Sequence, residues 1–99
     1  NPRIILPRTD FGRAHVWHLF VVRVKNREAF MQFLKGRGVH TLIHYPIPIH
    51  KQAAYAELSS RSFPLAETLA AEVISLPLYP TLAEADIQTI IGACNEYVG

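Results

Sequence analysis

The 99-residue sequence holds one cysteine, so Cys94 can close no disulfide within the chain and a reducing, cytoplasmic setting is expected. No run approaches the roughly 18 uninterrupted apolar residues of a membrane span, and no basic region opens the chain, so no membrane partner is expected. The formal charge of +2 is small and evenly spread, which argues against nucleic acid as a partner. Glycine is sparse, with no Gly-x-Gly-x-x-Gly pattern and no cradle for phosphate. Internal repeats and low-complexity segments are also missing.

Apolar residues are plentiful. At 49% of the chain they favour a packed globule over disorder. Residues 1–99 are expected to form a single domain that buries about 60–70% of the unfolded chain's surface. The chain opens on Asn1-Pro2 and runs at once into Ile4-Ile5-Leu6. That opening is expected of a C-terminal piece of a longer protein.

Asp10-Phe11-Gly12-Arg13 reads as a turn. Residues 15–25 are rich in Val, Phe and Trp in both alternating sets, which predicts a strand covered on both faces. Asn26 is a good N-cap for a helix carrying Phe30, Phe33 and Leu34, and Gly36 and Gly38 stop it. Residues 39–44 predict a second strand. Residues 47–60 read as irregular, with a helical turn near 53–58. Pro64 starts a helix with a Leu65, Leu69, Val73 stripe and with Glu67 and Glu72 toward solvent. Ser75-Leu76-Pro77 predicts a short edge strand. Thr81 and Glu84 form a capping box for a last helix buried through Ile87, Ile90, Ile91, Cys94 and Val98. The order predicts an α+β (α/β two-layer) fold, with a small sheet of about three strands packed against helices.

The segment Ile43-His44-Tyr45-Pro46-Ile47-Pro48-Ile49-His50 stands apart. Prolines at alternate positions hold it extended, so its imidazoles and phenol lose little entropy when something docks. His44, Tyr45 and His50 can be polar contacts at the mouth of a pocket. They can equally be a packed ring and the hydrogen-bonded ends of a strand and a loop. Local chemistry leaves both open.

Other chemistry is poorly supported. On a strand, His15 and His18 point to opposite faces, and His40 and His44 lie about 13 Å apart, too far to share one ion. No carboxylate or thiol sits nearby as a third ligand, so no metal is expected. Cys94 falls on an apolar stripe, where a thiol is a small core residue. Lys51 adjoins the proline segment but is expected to be exposed, which does not suit a Schiff-base lysine. No residue of this chain is expected to be catalytic. An RNA platform built on Trp17 and Phe20 fails on parity, because one odd and one even position cannot share a strand face.

The chain resembles the C-terminal domain of the DegT/StrS-type nucleotide-sugar aminotransferases, pyridoxal-phosphate enzymes of fold type I. The resemblance rests on His15-Val16-Trp17-His18-Leu19-Phe20-Val21-Val22-Arg23, on the His-Tyr-Pro-x-Pro-x-His-x-Gln run from His44 to Gln52, and on Ser75-Leu76-Pro77-Leu78-Tyr79-Pro80. It runs nearly end to end, and the proline run is most similar to members that make 3-amino sugars. It implies the small C-terminal domain of a homodimeric parent that moves an amino group, usually from glutamate, onto a nucleoside-diphosphate-linked keto-sugar. It implies substrate-side contacts for His44 and Tyr45, with His50 a further candidate.

The family's Schiff-base lysine and acidic partner of the pyridine nitrogen match no position here, and the cofactor-binding residues of this chain are unknown. The chain alone is therefore expected neither to transaminate nor to bind pyridoxal 5'-phosphate tightly. The alternative is a stand-alone small α/β ligand-binding or regulatory module without catalysis.

Overall fold

Strand β1 (Phe20–Arg23) is short because the backbone leaves extended geometry just upstream, where Trp17 takes φ +46°. It pairs antiparallel with β2 (Val73–Leu76), setting Phe20 opposite Leu76 and Val22 opposite Ile74. The computed structural model describes residues 1–10 and 12–99. Single antiparallel bridges extend this two-stranded sheet on either side, Ile5 against Arg23 and Leu42 against Ser75. With its helices the sheet makes an α+β fold, as the element order implies.

The strand expected over residues 15–25 is therefore four residues long, and the one expected over 39–44 shrinks to the bridge at Leu42. Positive φ at Gly38 and Tyr45 bounds that second segment and prevents a longer ladder. Nor does β2 lie at an edge along its length, since Ser75 is bridged to Leu42 on one side and faces Val21 on the other. The turn expected at 10–13 includes Phe11, which lies outside the described residues. Around it, the Arg13 amide donates to the Asp10 carbonyl at 3.3 Å.

The two faces of the sheet have different neighbours. Val22, Val24 and Ile74 enter the core with Phe30 and Leu34 of α1 (Arg27–Lys35) and with Ala93 of α3 (Glu84–Glu96). Tyr97 closes this layer, its ring edge-on to Phe30 at 4.9 Å and to Phe33 at 5.3 Å. By strand alternation Val21, Arg23, Val73 and Ser75 belong to the opposite face. Helix α2 (Pro64–Glu72) runs straight into β2 and is pinned there. Arg27 Nη1 donates to the Ala70 carbonyl at 2.6 Å, and Arg23 makes a two-pronged ion pair with Glu72 at 2.8 and 3.1 Å.

Local signals explain α1 well. The Asn26 side chain accepts from the Ala29 amide, and Gly38 at φ +75° lets the Val39 amide return to the Leu34 carbonyl at 3.0 Å. The other two helices differ from expectation. No Thr81 capping box forms, because the extended Ala83 is the N-cap of α3 and makes no side-chain cap bond. The buried stripe of α3 passes through Ala93 to Tyr97, while Ile91 and Val98 are exposed. In α2, Ala70 is buried and Leu65 is left in solvent. Glu67 and Glu72, both expected toward solvent, are each held by a partner.

Candidate functional site

A groove of about 720 Å³ opens beside the back face of the sheet, between the proline-rich segment and α2. His44, Tyr45 and His50 line it from one side, and Phe63, Leu69 and Ala70 from the other. Val73, on the sheet face turned from the core, also lines it. All three residues singled out in the sequence thus share one cavity. Their surroundings differ sharply.

His44 follows the Leu42 bridge by two residues, so the sheet itself delivers it. The Leu42 and Ser75 backbones exchange hydrogen bonds at 3.2 and 2.8 Å, and His44 Nδ1 lies 2.9 Å from the Ser75 hydroxyl. Ser75 is buried and His44 half-buried. Tyr45 comes next at φ +57°, an uncommon conformation for a ring-bearing residue, and is 83% exposed. The pair therefore combines a fixed imidazole with a free phenol.

His50 is not free. It sits in a 3₁₀ turn at Ile49–Lys51, is 5% exposed, and places Nε2 2.9 Å from Glu67 Oε1. Its ring packs edge-on against Phe63 at 4.8 Å. The same Glu67 oxygen accepts the amide of Phe63, the N-cap of α2, at 3.0 Å, as a first-turn carboxylate does in the reciprocal half of a capping box. That amide first, and the His50 imidazole next, hold the Glu67 carboxyl below its ordinary range. His50 thus ties the end of the proline segment to α2.

Two residues that sequence reasoning missed support the site, Ser75 and Glu67. A polar residue inside the apolar run Val73-Ile74-Ser75-Leu76 was a usable signal for the first. No signal existed for the second, since helical spacing alone sends Glu67 outward.

The remaining candidates scatter. Lys51 Nζ donates to the Ser59 and Arg61 carbonyls at 2.7 and 3.3 Å and does not line the groove. Burial pushes the Cys94 thiol up, so it stays protonated and suits packing rather than attack. His15 accepts the Trp17 amide through Nδ1 at 2.8 Å and stacks on that ring at 4.0 Å. Strand parity does not apply there: Trp17 and Phe20, expected on opposite faces, meet at 5.0 Å because Trp17 lies outside the strand. His40 lines a separate cavity of about 340 Å³. Among the described residues no three His, Cys, Asp or Glu side chains gather as a metal site, and no helix is long and apolar enough to cross a membrane.

Comparison with known proteins gives this arrangement a context. Residues 2–95 match the model of the DegT/DnrJ/EryC1/StrS aminotransferase family. Over 97 residues the chain is 50% identical to the dTDP-3-amino-3,6-dideoxy-α-D-galactopyranose transaminase of Aneurinibacillus thermoaerophilus, covering 98% of this chain and 27% of that protein. It is 40% identical to S. venezuelae DesV, solved in complex with a ketimine intermediate, at a TM-score of 0.89 over 99% of this chain and 28% of that one. Bacillus subtilis NtdA, solved with bound cofactor PMP, is 28% identical at a TM-score of 0.78, over 92% of this chain and 22% of that one. The chain spans about a quarter of the length of the relatives it matches.

Proposed function

The chain belongs to the DegT/DnrJ/EryC1/StrS aminotransferase family, and from that membership we propose that it is the small C-terminal domain of a pyridoxal-phosphate-dependent enzyme that aminates a nucleotide-linked keto-sugar. The amino donor in this reading is glutamate, and the working enzyme is a cytoplasmic homodimer. The observation that carries the reading is the 50% identity to a dTDP-amino-sugar transaminase along almost the whole chain. The substrate is then a dTDP-linked 3-keto-6-deoxy sugar or a close analogue.

The residues of this chain do not fit the cofactor. No lysine lines the groove, and Lys51, the only one beside it in sequence, is committed to two backbone carbonyls. What the chain offers instead is a wall for the sugar. Its aliphatic and aromatic lining excludes water from one side of the substrate, while His44 and Tyr45 supply the few polar atoms that fix orientation. His50 supports this wall through Glu67, so its part in binding is to hold the segment that carries the other two.

The test uses the full-length enzyme. Supplied with pyridoxal phosphate, glutamate and a dTDP-linked 3-keto sugar, it is expected to release 2-oxoglutarate only when the sugar nucleotide is present. His44→Ala and Tyr45→Phe are each expected to lower kcat/KM for the sugar by about tenfold, the size of one lost polar contact. The 99-residue chain alone is expected to give no turnover and no absorbance from bound cofactor. Turnover indifferent to the sugar nucleotide, or both variants behaving as wild type, overturns the reading.

A further inference from the structure

We propose that Ser75 is a positioning residue that fixes the His44 imidazole with Nδ1 unprotonated and Nε2 carrying the hydrogen, so that His44 meets the groove as a hydrogen-bond donor. The proposal rests on the reading above, in which the groove receives the keto-sugar nucleotide.

Ser75 is 5% exposed, and among the described residues its Oγ has one partner, His44 Nδ1 at 2.9 Å. A buried hydroxyl proton left without an acceptor forfeits the hydrogen bond it had with water, so the hydroxyl donates to Nδ1. A nitrogen that accepts carries no hydrogen, and in a neutral imidazole the hydrogen then sits on Nε2. The ring is also held in place. Ser75 lies within β2, its backbone is hydrogen-bonded to Leu42, and Leu42 is two residues from His44. The hydroxyl fixes the ring and the strand bridge anchors the backbone two residues before it, which is how a supporting residue sets a binding side chain.

The consequence is a specificity for acceptors. A donor at Nε2 suits a carbonyl, hydroxyl or phosphate oxygen of the sugar nucleotide and disfavours an ammonium or amide N–H at that spot. The two motifs most distinctive in the sequence, the proline run and Ser75-Leu76-Pro77, thereby meet at a single hydrogen bond.

The full-length enzyme tests this. Ser75→Ala is expected to lower kcat/KM for the keto-sugar nucleotide by about tenfold while leaving the KM for glutamate unchanged, a split that general loosening of the fold does not give. Ser75→Thr, which restores a hydroxyl, is expected to recover most of the loss. In a His44→Phe background, Ser75→Ala is expected to add nothing further. In enzyme labelled with ¹⁵N-histidine, the His44 signals, assigned by their loss in His44→Phe, are expected to show Nδ1 bare and Nε2 protonated. A Ser75→Ala effect that persists undiminished without His44, a wild-type Ser75→Ala enzyme, or a protonated Nδ1 each overturns the positioning role. Wild-type kinetics for His44→Phe itself sinks the substrate-side reading and the positioning role with it.

Discussion

Tyr45 carries a conformational cost that its neighbours do not reward. A non-glycine residue at φ +57° gives up about 1–2 kcal/mol relative to ordinary backbone, and a ring 83% exposed recovers little of that by burial. Strain of this kind persists where the side chain's placement matters. Tyr45→Gly is therefore expected to be about 1 kcal/mol more stable than Tyr45→Ala, since only glycine relaxes at this φ. Both should lose the phenol's contribution to sugar binding. Denaturant midpoints of the two variants decide the point, and equal midpoints would mean the backbone there is unstrained. Glu67 makes a second expectation, on pH. Its carboxyl sits below the ordinary value of 4.5 because the Phe63 amide and the His50 ring favour the charged form. A lowered value contributes stability above pH 4.5, and that contribution is lost as pH falls through the folded value. The wild type should thus hold a lead over Glu67→Gln near neutrality that shrinks as the pH is lowered below 4.5. A lead that stays constant in urea unfolding across that range would exclude the mechanism.

Elements were legible where one local signal decides them. Asn26, the Phe30 and Leu34 spacing and Gly38 agree on α1, and the structure buries both hydrophobics and uses both ends. The start of α3 was misread. Thr81 and Glu84 have capping-box spacing, yet Ala83 begins the helix without a side-chain bond and Leu82 instead returns its amide to the Tyr79 carbonyl. Thr81→Ala is accordingly expected to change stability by less than about 0.5 kcal/mol. Asn26→Ala should cost about 0.5–1 kcal/mol, the low end for a cap because its bond to Ala29 is 3.4 Å long. Thermal melts of the pair separate the two, and a Thr81→Ala loss equal to that of Asn26→Ala would restore the capping box. Strand lengths were less legible than helices, because the apolar run over residues 15–25 says nothing of the positive φ at Trp17. Within the candidate site, the residue types of the proline run pointed to one shared wall, although the run is not extended throughout as expected, because Tyr45 takes φ +57° and Ile49–Lys51 form a 3₁₀ turn. The partners did not show, because Ser75 and Glu67 reach the histidines from 31 and 17 residues away, and sequence periodicity is blind at that distance.

At the scale of the molecule, the chain shows more surface than its mass calls for. A compact monomer of 11.2 kDa exposes about 5,700 Å², whereas this one exposes 7362 Å², a surplus of about 1,700 Å². Its radius of gyration of 15.5 Å likewise exceeds the about 13 Å usual for this length. One partner in a standard protein interface gives up about 800 Å², so the surplus amounts to roughly two such faces. Much of it is apolar. Leu78, Tyr79 and Ile91 are exposed around a cavity of about 370 Å³, Ile47 and Ile49 are exposed in the groove, and Leu65 is exposed on α2. Water in contact with that much hydrocarbon is unfavourable by about 25 cal/mol per Å², enough for copies of the isolated chain to cover one another at high concentration. Sedimentation of the 99-residue chain is therefore expected to show mass rising with concentration, alongside strong fluorescence from an apolar dye. Leu78→Ser combined with Ile91→Ser should reduce both readouts and also lower the melting temperature, since those residues are only 41% and 47% exposed and each gives up its buried part. A strictly monomeric species that binds no dye would show instead that the chain rearranges in solution to bury this surface.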